Sequence, residues 1–527
     1  MAARTGKQYL ESLRANQPEI YLDGRRVADV TTEPVFSGPL ASIMQQYDLS
    51  YDPRYHDVMT WDDPDSGQRE STAFIVPRTQ EQLVQRRRHF KVRSDHNFGF
   101  MGRAPDFMNA IVTDFYLQRD TFARADERYG DNMAAYYRHV RDNDLFLTHM
   151  LVNPQVDRSK SSSEQEDPFT HLGRVEANDQ GIVVRGAKML GTMAPLAEEV
   201  MVWPFGGVGA GDELYAVAFG IPTNTRGLKF ICRETVAPAG RNRFDHPLSS
   251  RFEEMDCIAI FDDVLVPWDK VFIDGGSDKA REVCNVLRPR DGTVAVQTAT
   301  RMLSQLEFFC GLAMRLADST GITNFLHIQE KLGELLIELE LFRATYYGAE
   351  AMAAPGPNGV WAPNAMALAA SHLKAPRLYP RLVEIVEILA GGGFFYAPTE
   401  ADMANAEIRP LIDKYVKGRP GISAEDRISL FKLAWDVCGD GFGSRMNQYV
   451  KFYSGDPIRN WAGFYLAYPH KDMLFDVVER ARGKGDDLDV ALSPVDPSQR
   501  PVQRAASGIL SGTYPSGKPV PPASPPR

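Results

Sequence analysis

The chain has 527 residues, enough for two to four domains with a large core. A formal net charge of -10 excludes a surface built for non-specific nucleic-acid binding, while 43% apolar and 24% charged residues is the balance of a soluble globular protein. No run approaches the roughly 18 apolar residues that span a bilayer. The opening MAARTGKQYLESL lacks the apolar centre of a signal peptide, so a cytoplasmic protein is expected. Five widely spaced cysteines form no CxxC, no zinc spacing and no redox dyad, and read as reduced, mostly buried thiols.

In chain order, residues 1–150 read as a mostly helical domain. TQEQLVQRRRHFKVRSDHNFGF and FMNAIVTDFYLQRD both carry near-helical apolar spacing. The three arginines at 86–88 read either as a solvated helix face or as a phosphate site. The texture changes near Val152. After the polar stretch VDRSKSSSEQED come short β-rich pieces: HLGRVEA, GIVVRGAKML, EVMVWPF, ELYAVAFGI, LKFICRETV, CIAIFDDVLVPW and KVFI. They predict a sandwich or small barrel over 151–278. From 279 to 482 the period becomes helical, with Leu303, Leu306, Cys310, Ala313 and Leu316 on one stripe and Leu332, Leu335, Leu336, Leu339 and Phe342 on another. Ser423 and Asp426 read as a capping box that opens a further helix. Residues 483–527 form a Pro/Ser/Gly-rich tail without pattern.

Two glycine runs need weighing. GGVGAG at 206–211 imitates a dinucleotide loop, but it leads into another strand. It lacks the helix N-terminus that would meet a pyrophosphate, so it reads as a hairpin connection. GGG at 391–393 reads as a helix C-cap or as a close approach of backbone to a ligand. No Walker A loop, HExxH or GxSxG is present. Four segments concentrate polar groups in apolar settings: GRAPDF with Arg103, LTHMLVNPQVDR with His149, Gln155 and Arg158, MLGTMAPLAEE with Thr192, and GFGSRMNQYVKFYSGDPIR with Arg445 and Tyr453. Each alone has a plain structural reading. Arg103 could pair with Asp106, His149 could be a satisfied structural histidine, and SGDP is a good turn.

Taken together, NFGFMGRAPDFMNA, LTHMLVNPQVDR, GAKMLGTMAPLAEEVMVWP, FDHPLSSRFEEMDCIAIFDDVLVPWDKVF and RMNQYVKFYSGDP resemble the 4-hydroxyphenylacetate 3-monooxygenase oxygenase-component family, over roughly residues 5–475. The resemblance implies an α+β, acyl-CoA dehydrogenase-like fold with an N-terminal helical domain, a middle β-barrel and a C-terminal four-helix bundle, in a homotetramer. It implies a two-component system in which a separate NAD(P)H-flavin reductase supplies reduced FAD. The oxygenase then uses O2, through a C4a-hydroperoxyflavin, to hydroxylate a small aromatic substrate. The hydroperoxide must be shielded from water or it decays to hydrogen peroxide. The implied catalytic residues are Arg103 and His149. Substrate contacts are implied for Arg103, Ala104, Phe107, His149, Phe205 and Gly206. Flavin contacts are implied for Gln155, Val156, Asp157, Arg158, Thr192, Arg445, Tyr453, Ser454, Gly455 and Asp456. No metal is implied.

The chain departs from that pattern in two places. Phe107 stands where the 4-hydroxyphenylacetate enzymes have tyrosine. The stretch TVAVQTATRMLSQLEF also lacks the histidine that halophenol-hydroxylating relatives use as phenol base. Other readings stay open on the same fold. A 4-hydroxybutyryl-CoA dehydratase would need cluster-binding cysteines where this chain has Arg103 and Phe107. An acyl-CoA dehydrogenase or N-hydroxylase would need a glutamate base, for which Glu384 is a candidate. A silent scaffold would bind no reduced flavin.

Overall fold

A computed structural model describes residues 3–204, 207–287, 293–356 and 358–483. Phe205, Gly206 and all of the tail after Gly483 therefore lie outside the described residues. The N-terminal part is helical: α1 (Gly6–Ala15), α2 (Ser37–Asp48), α3 (Gln80–His96), α4 (Pro105–Leu117) and α5 (Glu127–Asp142). Short polar side chains start several of these helices. Thr5, Thr79 and Asp126 each accept a hydrogen bond from a backbone N–H of the first turn, satisfying a donor that the helix itself cannot. α4 instead starts on Pro105, whose missing N–H costs nothing at that position.

The N-terminal part is not purely helical. It also supplies β1 (Glu19–Leu22) and β2 (Arg25–Arg26). The middle part adds β3 (Leu147–Met150), β4 (Gly173–Ala177), β5 (Gly181–Lys188), β6 (Glu199–Val202), β7 (Val217–Pro222), β8 (Leu228–Cys232), β9 (Cys257–Pro267) and β10 (Val271–Asp274). These strands form two separately hydrogen-bonded sheets, in the orders β2-β1-β8-β9-β5-β4 and β10-β7-β6-β3. β1 runs parallel to β8, so residues 20 and 230 pair across the join of the two parts. β6 and β7 are antiparallel, as the hairpin reading of the glycine run at 206–211 requires.

Three long helices, α6 (Thr293–Thr320), α7 (Leu326–Ala351) and α8 (Ala365–Ala390), pack on one another. α9 (Ala424–Ala434), a π-turn at Trp435–Gly439 and α10 (Gly441–Phe452) complete the bundle, followed by α11 (Pro457–Ala467) and α12 (Lys471–Ala481). Ser423 caps α9 by accepting from Asp426 N at 3.0 Å, and Gly391 ends α8 at φ +54°. Of the two apolar stripes, Leu303, Leu306, Cys310, Ala313 and Leu316 are all buried, but on α7 Leu336 is exposed together with Ile337 and Leu341. α6 also packs on α3 and α4, which brings the bundle against the N-terminal helices. Of the arginine run on α3 only Arg88 is exposed: Arg86 is buried, and Arg87 pairs with Glu350 at 2.5 Å across to α7.

Candidate active site

The site forms where α4, β3 and the end of α10 meet. Arg103 sits in the turn just before α4, and its backbone N–H donates to Glu254 Oε1 at 2.6 Å. No pair with Asp106 forms. The guanidinium carbon lies 4.0 Å from the centre of the Phe107 ring, 4.1 Å from Tyr453 and 5.6 Å from Tyr449. Arg103 Nε and Nη1 are shut off from solvent and have no hydrogen-bond partner. Held among aromatic rings rather than against carboxylates, the guanidinium keeps N–H groups free for a ligand. Burial pulls the Arg103 pKa down, but Tyr449, Tyr453 and Glu254 outweigh it, so it lies above the ordinary arginine value.

His149 belongs to β3, a strand buried along its whole length, and pairs in register with Met201. Its ring lies 5.7 Å from Phe107 and 5.8 Å from Trp203. Its Nδ1 is buried without a partner. Burial, aided by the charge of Arg103, holds its pKa well below the usual histidine value. The imidazole is therefore neutral. Ala104 is 2% exposed and lies at the N-terminal boundary of α4. Tyr453 donates from its hydroxyl to Gly102 O at 2.7 Å. A Cβ on Gly102 would stand 2.6 Å from the Tyr449 hydroxyl, so only glycine lets this turn approach the tyrosines.

Thr192 lies in a loop of strained backbone. Leu190 and Met193 on either side have φ of +65° and +66°, a region that costs residues with a Cβ about 1–3 kcal/mol each. Backbone bonds hold the loop: Gly191 N to Cys257 O at 2.9 Å, Cys257 N to Gly191 O at 3.2 Å and Met193 N to Met255 O at 2.7 Å. The Thr192 hydroxyl donates to Asp256 Oδ1 at 2.7 Å. Asp256 in turn accepts from Arg445 Nη2 at 2.8 Å and from Arg445 Nε and Arg233 Nε at 3.0 and 2.9 Å. Burial alone would raise its pKa, but the two arginines and Thr192 carry it well below the carboxylate range. The remaining Arg445 nitrogen reaches Glu254 Oε2 at 3.2 Å, closing a chain from Thr192 to Arg103. All three Arg445 nitrogens are thus engaged inside the protein.

Gln155, Val156, Asp157 and Arg158 form an exposed loop that does not touch this cluster directly. Asp157 closes a turn on Ser159, and Arg158 makes no ion pair among the described residues. The loop is tied to the Thr192 loop behind it. Met189 N donates to Val152 O at 2.8 Å, and the buried Lys188 donates to Leu151 O at 3.1 Å and Asn153 Oδ1 at 2.6 Å. Ser454, Gly455 and Asp456 follow Tyr453 in a turn with Gly455 at φ +95°. Asp456 caps α11, while Ser454 Oγ is buried without a partner.

Several residues of this site escaped the reading of the sequence. Glu254, Asp256 and Tyr449 stand inside motifs already singled out, but their roles depend on contacts across the fold. Arg301 of α6 is 1% exposed, lies 4.2 Å from the Tyr453 ring and donates to Gly99 O at 3.1 Å. The buried His372 of α8 lies near Arg301, and burial, with that charge, pushes its pKa down to about 4. Glu384 is an exposed partner of Arg381, at 2.7 Å, and no buried base. A cavity of about 420 Å3 lies elsewhere, between the Arg243–Pro247 loop and helices α6 and α9, and none of the site residues lines it.

The chain is similar to known proteins over most of its length. Residues 5–273 match the N-terminal and residues 292–481 the C-terminal part of 4-hydroxyphenylacetate 3-hydroxylase. The chain is 41% identical to the 4-hydroxyphenylacetate 3-monooxygenase oxygenase component of Thermus thermophilus over 90% of its own length and 96% of the relative's. It is 33% identical to the 4-nitrophenol 2-monooxygenase oxygenase component of a Rhodococcus species, covering 86% of each chain. A crystal structure of a 4-hydroxyphenylacetate 3-monooxygenase oxygenase component complexed with FAD and 4-hydroxyphenylacetate superposes with a TM-score of 0.85 at 39% identity, covering 91% of this chain and 99% of that one. An archaeal 4-hydroxybutyryl-CoA dehydratase shares the fold, with a TM-score of 0.78, at only 20% identity over 92% and 96% of the two chains. With matches over nearly its whole described length, the chain belongs to the 4-hydroxyphenylacetate 3-hydroxylase family.

Proposed function

We propose that the chain is the oxygenase component of a two-component flavin monooxygenase, using reduced FAD and O2 to hydroxylate a phenolic aromatic. The observation that carries this reading, beside family membership, is the ring-flanked Arg103 guanidinium with Nε and Nη1 buried and unpartnered. Buried donors without acceptors are costly, and a ligand oxygen is what they fit. Other features fit a flavin: the unpartnered Ser454 Oγ, the Thr192 hydroxyl and the unengaged, exposed Arg158 beside Gln155. Reduced FAD, when bound, supplies the electrons that activate O2.

The protein's own residues bind, orient and exclude water. Arg103 donates two N–H groups to the substrate oxygen and favours its anionic form. His149, neutral and buried, adds a hydrogen bond without a competing charge. Phe107, Tyr453 and Trp203 wall the site with apolar surface. Phe107 brings no hydroxyl, but the buried, partnerless hydroxyl of Tyr449 stands beside Arg103. On this reading Gln155–Arg158, Thr192 and Ser454–Asp456 hold the flavin, with Arg445 acting through Asp256. The chain divides near residues 150 and 278, the first unit lending β1 and β2 to the sheet of the second. A separate NAD(P)H-flavin reductase supplies the reduced cofactor in the cytoplasm. Exposed apolar side chains, among them Ile337 at 63%, Ile458 at 75% and Tyr465 at 65%, support a homotetramer.

Anaerobic protein with reduced FAD, mixed with oxygenated buffer in a stopped-flow instrument, tests the reading. Flavin oxidation slower than that of free reduced FAD, and accelerated by phenols with formation of a hydroxylated product, is expected. Oxidation at the rate of free reduced FAD with no product would reject it.

A further inference from the structure

The five cysteines look unrelated in the sequence, yet the fold pairs two of them. Cys232 ends β8 and Cys257 begins β9, and the antiparallel register sets them directly opposite each other. Their sulfurs are 3.5 Å apart and unlinked. Directly opposed antiparallel residues have Cα atoms about 4.5 or 5.5 Å apart, inside the range that a disulfide bridges. The sulfurs need only close by about 1.5 Å, to about 2.05 Å, which side-chain rotation supplies. Cys232 is partly exposed and Cys257 is buried, so Cys232 is the more accessible of the two to an oxidant. The pair also adjoins the strained loop: Cys257 exchanges both backbone hydrogen bonds with Gly191, and its neighbour Asp256 holds the Thr192 hydroxyl.

We propose that Cys232 and Cys257 are a peroxide-oxidisable dithiol, a modification site whose closure into a disulfide acts on the Gly191–Thr192 loop. The oxidant is hydrogen peroxide. The Cys232 thiolate attacks one peroxide oxygen; the O–O bond breaks and the other oxygen leaves, taking a proton, as water. Cys232 is then a sulfenic acid. The Cys257 sulfur attacks it, the S–S bond forms and the S–O bond breaks. The departing hydroxyl leaves as water with the Cys257 proton. Two thiols lose two electrons and two protons, and one peroxide becomes two waters. Cys232 is the entry point because it is the less buried of the two; Cys257 resolves because the register sets it directly opposite Cys232.

The full-length protein treated with hydrogen peroxide and digested without reductant gives the test, read by mass spectrometry. A Cys232–Cys257 linked peptide, reversed by dithiothreitol, with the other three of the five thiols still free, is expected. Hydrogen exchange at residues 189–194 should change between the linked and reduced forms. In the Cys257→Ser variant, Cys232 should stop at a sulfenic acid that a dimedone probe traps. Peroxide treatment that leaves both thiols free, or that carries Cys232 to sulfinic acid without any link in the unmutated protein, overturns the proposal. A linked protein with unchanged exchange in the loop overturns its coupling to Thr192. The mapping of the unmutated protein decides the first point even if the variant does not fold.

Discussion

Arg445, on the last helix of the bundle, grips Asp256, just before the central strand β9, through two hydrogen bonds of 3.0 and 2.8 Å. The carboxylate it holds is the one that accepts the Thr192 hydrogen bond. One ion pair therefore joins the bundle, the sheet and the strained loop, and it also fixes the direction of the Thr192 hydrogen bond.

Replacing Arg445 by methionine should cost about 3 kcal/mol of stability, since it leaves Glu254 and Asp256 buried with one cation fewer. Urea unfolding at neutral pH would measure it. The pH dependence has a definite sign. The Asp256 pKa is depressed in the folded state, so its contribution is complete above the unfolded carboxylate pKa near 4 and is lost as pH falls toward the lower folded value. The gap between the two proteins should thus narrow only in acid; a gap that widens there contradicts the assignment.

Arg103→Ala should lower kcat/KM for a phenolic substrate by at least about a hundredfold, the cost of two charge-assisted hydrogen bonds, while changing stability little. Steady-state product assays beside thermal unfolding decide this. Normal hydroxylation by the variant would remove Arg103 from the substrate site.

His149 is held neutral, so it should not impose an acid limb near pH 6.5 on the rate profile. His149→Gln, which keeps a donor, should lower kcat without moving either limb between pH 6 and 8. A limb near 6.5 that vanishes in the variant would mean that the ring titrates there after all.

Thr192 donates its hydroxyl hydrogen bond to an ionised carboxylate and so offers a bound ligand only lone pairs. Reduced flavin carries a ring N–H that oxidised flavin lacks. Thr192→Val should accordingly weaken reduced FAD about tenfold, one lost hydrogen bond, and leave oxidised FAD nearly unaffected. Anaerobic titrations of both forms provide the comparison. Equal weakening of both would mean that the hydroxyl donates to the flavin, and no weakening of either would place Thr192 away from it.

Gly102→Ala tests how tightly the arginine cradle is built. The added methyl meets the Tyr449 hydroxyl at 2.6 Å and a Tyr453 ring carbon at 2.8 Å, so the two rings must shift. Substrate affinity should fall with Arg103 itself intact; a variant that binds phenols normally would show that the tyrosines are not part of the cradle.

The sequence alone determined what depends on local chemistry. Apolar period separated helix from strand, Ser423 marked a helix start, and the order of parts followed from where the period changed. The motifs around Arg103, His149, Thr192 and Tyr453 also marked the residues that the fold gathers, directly or through Asp256. Tertiary structure decided what depends on distance. The strands Glu19–Leu22 and Arg25–Arg26 were too short to signal themselves; the first forms on the open edge of β8 and the second pairs back on the first. Arg86 reads as a surface charge yet is buried, because α6 packs against the helix that carries it. Arg301 looks like one polar residue on an apolar helix until the end of α10 brings Tyr453 against it. Cys232 and Cys257 became neighbours only through strand register. Periodicity reports the face a residue turns, but not which distant charge, ring or thiol will stand opposite it; that is fixed only when the elements pack.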